Sequence, residues 1–265
     1  MDSKALENDQ SFMIGKVSIV PLLGDVRQLE ADVLVQSSGT SVQGENHHSS
    51  WIVTNRNYDE IVNTLNNHRP HKLGDVIIST AGSFHAKYLF NAIVIDWGHQ
   101  RSQGSLIYED IVDKVARKCI EVAVSLDLKS IAFLPWGARI GASTASMMTA
   151  LLVQAIVTQL KVNSGSLERV FLISNNKEHY QWFVDRAFLF QVMFSQIEEI
   201  RNQISHLDVT PEAREQILET LGNLTQTVYI FNEVVEGDKI TVGNMENVEG
   251  AAIGNQAMVK VKDSK

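Results

Sequence analysis

Apolar positions along the first three quarters of the chain fall into two alternating kinds of segment. Runs that are apolar at nearly every position, Val17 to Pro21, Val33 to Gln36, Val76 to Thr80, Leu89 to Ile95, Ser130 to Leu134 and Arg169 to Ser174, predict strands buried on both faces. Between them, three- and four-residue spacing predicts helices over Tyr58 to Asn67, Leu106 to Leu126 and Thr144 to Leu160. Such an alternation calls for a parallel or mixed sheet covered by helices on both sides. Ligands of these sheets sit beyond the carboxyl ends of the strands, so the loops of interest are Gly24-Asp25, Gln36 to Gly44 and Pro135 to Ser143.

After residue 178 the pattern changes. One long helix is expected, with Phe190, Phe194, Ile197, Ile200, Ile204 and Leu207 as its stripe. Asp208, Thr210 and Pro211 interrupt it, because Asp and Thr cap free amides and Pro suits a first helical turn. A second helix carrying Ile217, Leu221, Leu224 and Val228 completes a helical hairpin. From Gly237 to Lys262, short β-prone pieces alternate with Gly-Asn and Gly turns. They bury too little surface to stand alone, so this segment either docks on its own domain or joins copies of the chain, with a disordered tail as the bland counterpart; assembly is expected. The expected organisation is a tail over 1–13, an α/β domain over 14–190, the hairpin over 191–228 and a short β-rich segment over 229–265. A homo-oligomer formed through residues 191–265 is expected, the alternative being a hairpin packed on its own domain.

Composition removes several function classes. A net charge of −8 argues against a nucleic-acid partner, since such binding is driven by Lys and Arg displacing counterions. No continuous apolar run of about 18 residues suggests a membrane span, and the first ten residues lack the order of a signal peptide. The single cysteine, Cys119, fits a reducing compartment, and a cytoplasmic location is expected. It shares the apolar side of Val112, Val115 and Val122, which marks it as a core residue rather than a nucleophile.

The loops carry the candidate chemistry. At the end of the first long strand, the Asp25 carboxylate is suited to accept from an exocyclic amine while the Val26 amide donates to a ring nitrogen. The alternative is a plain turn. Ser37, Ser38, Gly39 and Gly44 are small enough for backbone amides to approach an oxygen-rich ligand. After Pro135, the run Trp136, Gly137, Ala138, Arg139, Ile140, Gly141, Ala142 leads into a helix, the arrangement in which amides cradle phosphate; its bland counterpart is a βα loop with a helix cap. Trp136 is placed to stack on a base or ribose, or else to cap the core edge. Glu45, His47 and His48 offer a general base, while adjacent loop histidines are ordinarily solvated and no metal site is assigned. His68 and His71 flank Pro70 in an expected surface turn.

Taken in order, these loops resemble those of macrodomains. The most specific stretch is "LGDVIISTAGSFHAKYLFNAIVIDW", similar to the family's central hairpin region. "VSIVPLLGDVRQLEADVLVQSSG" is similar to its opening and "SIAFLPWGARIGAS" to its second glycine loop. The resemblance implies a three-layer α/β/α sandwich with a mixed sheet, extended here by the hairpin and the β tail. It implies a crevice for ADP-ribose or a relative, with no bound cofactor. Asp25 and Val26 would read adenine, Ser37 to Gly44 would line the distal ribose, and Gly137 to Ala142 would hold the diphosphate. Asn175, with Asn176, follows the last strand where the family often has an adenine-stacking aromatic.

The chain also departs from the family pattern. Gln36-Ser37-Ser38-Gly39 stands in place of an Asn-Ala-Ala-Asn run, so the Asn that orients substrate in hydrolytic members is replaced by Gly39. The polyglycine stretch is gone, and Ala138 and Arg139 occupy positions usually held by Thr and Gly. A sensor or reader is therefore expected ahead of a hydrolase, for which catalytic residues are unknown, and ahead of an interaction scaffold with a vestigial pocket. "GDKITVGN" and "GAAIGN" look like short C-terminal elements of prokaryotic signalling and defence proteins.

Overall fold

A computed structural model describes residues 10–40, 55–96, 109–137, 142–206, 210–213 and 215–217. The chain divides into two compact units, Met1–Leu207 and Asp208–Lys265. The first contains seven strands: β1 (Phe12–Ile14), β2 (Val17–Leu23), β3 (Val33–Gly39), β4 (Val76–Thr80), β5 (Tyr88–Ile95), β6 (Ser130–Phe133) and β7 (Arg169–Ser174). Its helices are α1 (Tyr58–Asn67), α2 (Glu109–Ser125), α3 (Ala142–Val162) and α4 (Lys177–Ser205), and a single 3₁₀ turn spans Val26–Gln28.

The strands form one mixed sheet in the order β1-β2-β7-β6-β3-β5-β4. The five inner strands are parallel, while β1 and β4 run antiparallel at the two edges. On one face Val20, Leu22, Leu34, Leu89, Ala132, Phe171 and Ile173 pack against Ile61 and Leu65 of α1 and against Val26, Leu29 and Phe84. Positions of the opposite parity, Val17, Ile19, Val33, Val35, Phe90, Ile131, Phe133, Val170 and Leu172, are equally buried. The second face is covered by α2, α3 and α4, which pack side by side with α3 in the middle. This is the expected α/β/α sandwich.

α3 is apolar enough between Ala145 and Val162 to match a membrane span by length and composition, although it contains no long unbroken apolar run. In the fold it is a core helix: Ala145, Met148, Leu152, Val153, Ile156 and Leu160 are buried. Cys119 is fully buried in α2, and desolvation pushes its thiol far above the ordinary range, as suits the predicted core residue.

Two boundaries differ from expectation. β3 continues through Ser37, Ser38 and Gly39 instead of ending at Gln36, because the ladder to β5 carries these small residues with a register shift between Ser38 and Gly39. α4 runs unbroken through residue 190, so the first unit reaches Leu207 rather than stopping at 190. No Pro or Gly interrupts the helix before the 208–211 punctuation. Of the predicted hairpin's second helix, only Pro211 to Ile217 includes described residues, and the β-rich segment over 229–265 lies outside them.

At the amino end of the parallel strands, Asp32 fastens three of them together. Its carboxylate accepts from the Lys129 amide at 2.8 Å, the Ser130 amide at 2.9 Å and Lys87 Nζ at 2.8 Å. Its own amide donates to Ser130 Oγ at 2.9 Å, and its carbonyl accepts from the amides of Lys87 and Tyr88. Burial raises the Asp32 carboxyl, and the Lys87 ammonium with the two amides more than offsets that, holding it below its ordinary range.

Candidate functional site

Five parallel strands, β2, β7, β6, β3 and β5, deliver their carboxyl ends to one edge of the sheet. The chain leaves β2 at Gly24, whose amide donates to the Ser174 carbonyl at the end of β7 at 2.9 Å. Leu134, just past β6, donates to the Val35 carbonyl of β3 at 3.1 Å. Gly24-Asp25, Asn175-Asn176, Pro135 to Gly137 and Ser37 to Thr40 are therefore neighbouring segments along that edge. Parallel α/β sheets bind ligands in such a place, where consecutive connections leave in different directions.

Asp25 is the N-cap of the 3₁₀ turn. Its Oδ1 accepts from the Arg27 amide at 2.9 Å, and both carboxylate oxygens accept from the Arg27 guanidinium. The Arg27 side chain holds the Asp25 carboxyl below its ordinary range, against a smaller opposing push from burial. Val26 turns its side chain into the core, which leaves its backbone as the part available to a ligand.

Ser38 and Gly39 are buried at the end of β3, and Ser37 is half-buried. Beneath them lies a polar chain inside the sheet. Gln36 Nε2 donates to Asn91 Oδ1 at 2.6 Å, and Asn91 Nδ2 donates to the Ile77 carbonyl at 3.2 Å and to Ser79 Oγ at 3.3 Å. Gln36, Asn91 and Ser79 are all buried, so each hydrogen bond replaces water that none of them can reach.

The third segment corrects one expectation. Trp136 is fully buried with its ring tilted against Phe133 at 6.3 Å, and its Nε1 has no hydrogen-bond partner among the described residues. An inaccessible indole cannot stack on a ligand in this arrangement, and Trp136 takes the core-edge role instead. Gly137 follows at φ +74°, a backbone conformation that side chains rarely adopt, and it turns the chain toward α3. Ala138, Arg139, Ile140 and Gly141 lie outside the described residues, and Ala142 begins α3. Gly44, Glu45, His47, His48, Trp51 and Trp97 also lie outside them.

Asn175 is exposed beside Gly24-Asp25, and Asn176 caps α4 by accepting from the amides of Glu178 and His179 at 2.8 and 3.2 Å. His71 is buried rather than on a surface turn. Its Nε2 lies 2.7 Å from the Leu65 carbonyl, while His68 Nδ1 lies 2.7 Å from the Thr64 carbonyl, so the two imidazoles finish the last turn of α1.

Three features of this edge were missed by the sequence reasoning. Thr40 Oγ1 donates to Asp96 Oδ1 at 3.0 Å, joining the ends of β3 and β5. Asp96 directly follows an apolar strand, the same signal that singled out Asp25. The His179 and Trp182 rings meet at 4.8 Å in the first turns of α4, where burial lowers the imidazole's affinity for a proton. Their i, i+3 spacing was legible. The Gln36–Asn91 pair needed the strand register before it could be seen.

The Macro domain family model matches residues 53–149. An uncharacterized protein of Pyrobaculum aerophilum is 25% identical over 178 residues, which cover 66% of this chain and 93% of that protein. The Oceanobacillus iheyensis macrodomain solved with ADP aligns at a TM-score of 0.53 with 17% identity, covering 71% of this chain and 98% of the other. A mutant of the same macrodomain with ADPR gives a TM-score of 0.53 at 16% identity, covering 70% and 98%. The first unit therefore has the macrodomain fold, and the stretch that matches the family model lies within it.

Proposed function

We propose that this macrodomain binds ADP-ribose or a related NAD-derived nucleotide and reads it rather than hydrolysing it. The observation that carries the reading is at the end of β3. Gly39, which bears no side chain, stands where hydrolytic macrodomains carry an orienting Asn, while Asp25 remains just past the end of β2. Asp25 and the Val26 backbone would take the adenine end, with Asn175 beside them. Ser37, Ser38, Gly39 and Gly44 would line the sugar. Gly137 and the run Ala138, Arg139, Ile140, Gly141, Ala142 would face the diphosphate, since a loop entering a helix N-terminus favours anions.

Calorimetric titration with ADP-ribose, followed by analysis of the recovered ligand, tests this. Asp25→Ala should weaken binding by about tenfold or more, the loss of one good polar contact, with the ligand recovered intact. Asp25→Asn keeps the N-cap and controls for collapse of the turn. Converted ligand would favour the hydrolase reading, and absence of binding the scaffold reading. Assembly through residues 191–265 is part of the proposal: deleting residues 237–265 should lower the mass seen by light scattering and leave ligand affinity unchanged.

A further inference from the structure

The Asp25 carboxylate is bound more tightly than the cap of its turn requires. An N-cap needs one oxygen, and Oδ1 supplies it by accepting from the Arg27 amide at 2.9 Å. The Arg27 side chain then folds back on the same carboxylate: Nε donates to Oδ1 at 2.9 Å and to Oδ2 at 2.8 Å, and Nη2 donates to Oδ2. A carboxylate offers about four lone-pair positions, so this one has none left for a further donor.

The two holds are separable. Oδ2 is bound by the guanidinium alone, so turning Arg27 away frees that oxygen while Oδ1 keeps the amide and the 3₁₀ turn keeps its cap. The Arg27 side chain is 53% exposed, and among the described residues its polar contacts are all with Asp25. A guanidinium so placed moves into water at small cost, because exposed ion pairs contribute little. Arg27 is thus a donor supplied by the chain itself, lying where the nucleotide reading puts the exocyclic amine of the base. The two donors compete for one acceptor. A base with an amine gains only the difference between its own hydrogen bond and the one it displaces, whereas a base with a carbonyl at that position has no use for Asp25 and leaves the pair closed.

We propose that Arg27 is a latch on Asp25, which must open before an amino-bearing base is read and which thereby sets how strongly the crevice prefers such a base. This rests on the nucleotide reading above and deepens it.

The test is calorimetry on the full chain with ADP-ribose and with its inosine counterpart, whose base carries a carbonyl in place of the amine, comparing wild type with Arg27→Ala and Arg27→Lys. Arg27→Ala should tighten ADP-ribose by about threefold to fivefold relative to the inosine ligand, the scale of one exposed ion pair. Arg27→Lys keeps the charge but not the fork, and should move the ratio in the same direction. Both ligands carry the same diphosphate, so a loss of long-range attraction falls on both and drops out of the ratio. Binding of the inosine ligand shows that each variant is folded. A ratio unchanged or lowered in Arg27→Ala would overturn the proposal, and so would Arg27→Lys matching wild type. Wild-type protein that binds neither nucleotide would bring down the nucleotide reading and this inference together. Wild-type binding that is weakened in Asp25→Ala, with the ratio unmoved in both Arg27 variants, would bring down only the inference.

Discussion

Replacing Asp32 by Ala removes the carboxylate that ties the start of β6 to β3 and pairs with Lys87, while its backbone carbonyl still accepts from the Lys87 and Tyr88 amides of β5. Two backbone amides, those of Lys129 and Ser130, lose a carboxylate partner at 2.8 and 2.9 Å, and Lys87 loses its ion-pair partner. Hydrogen bonds to a charged group contribute about 1.5–3 kcal/mol each, reduced here because the edge is partly solvated. The exposed Lys87 adds little, because solvent and salt screen its charge. Asp32→Ala should therefore cost about 3 kcal/mol, and Asp32→Asn, which keeps one acceptor oxygen, about half of that. Urea denaturation followed by circular dichroism measures both.

The pH dependence follows from the direction of the Asp32 shift. Its folded-state pKa is depressed, so the stabilisation is fully present above the unfolded-state value of about 3.9 and is lost as pH falls through the folded-state value. Wild type should lose stability below about pH 4 more steeply than Asp32→Asn, and the two curves should converge in acid. A cost under about 1 kcal/mol for Asp32→Ala, or parallel acid curves for the two proteins, would refute the assignment of Asp32 as the clamp.

Gly82 sits at φ +61°, and an added Cβ would lie 2.3 Å from Asn55 Oδ1, the atom that accepts from the Ser83 amide, so Gly82→Ala should destabilise by about 2 kcal/mol or more in the same denaturation assay. Asn91→Leu strands Gln36 inside the sheet and should cost about 2–3 kcal/mol while also weakening any ligand held at Ser37 to Gly39. Cys119 should resist a thiol reagent in the native protein and react fully after denaturation, because burial withholds both access and the thiolate.

The fold was legible where the period of the pattern was unambiguous. β4, β7 and α1 match their expected limits, since an all-apolar run between turn residues leaves few alternative registers. β1 was overlooked, because three residues paired only along the sheet's edge carry no pattern of their own. The continuation of β3 was hidden for a different reason. Ser37, Ser38 and Gly39 are poor strand formers in isolation and are held by pairing with β5, which a local reading does not see. Trp136 shows the limit for sites: adjacency to a glycine loop suggested a stacking surface, and packing against Phe133 turned the same ring inward. Asp96 and Asp25 carry the same signal in the chain, yet only their partners, Thr40 in one case and Arg27 in the other, give the two carboxylates different work.

The Asp32 clamp and the candidate crevice lie at opposite ends of the same parallel strands. A sheet fastened at its amino end keeps its strands in register whatever the sequence at its carboxyl end. Changes among residues 36–44 or 135–143 then alter what is held without asking the framework to be solved again. Such a division of labour leaves the loops at the carboxyl edge free to vary while the ladder of strands is held in place.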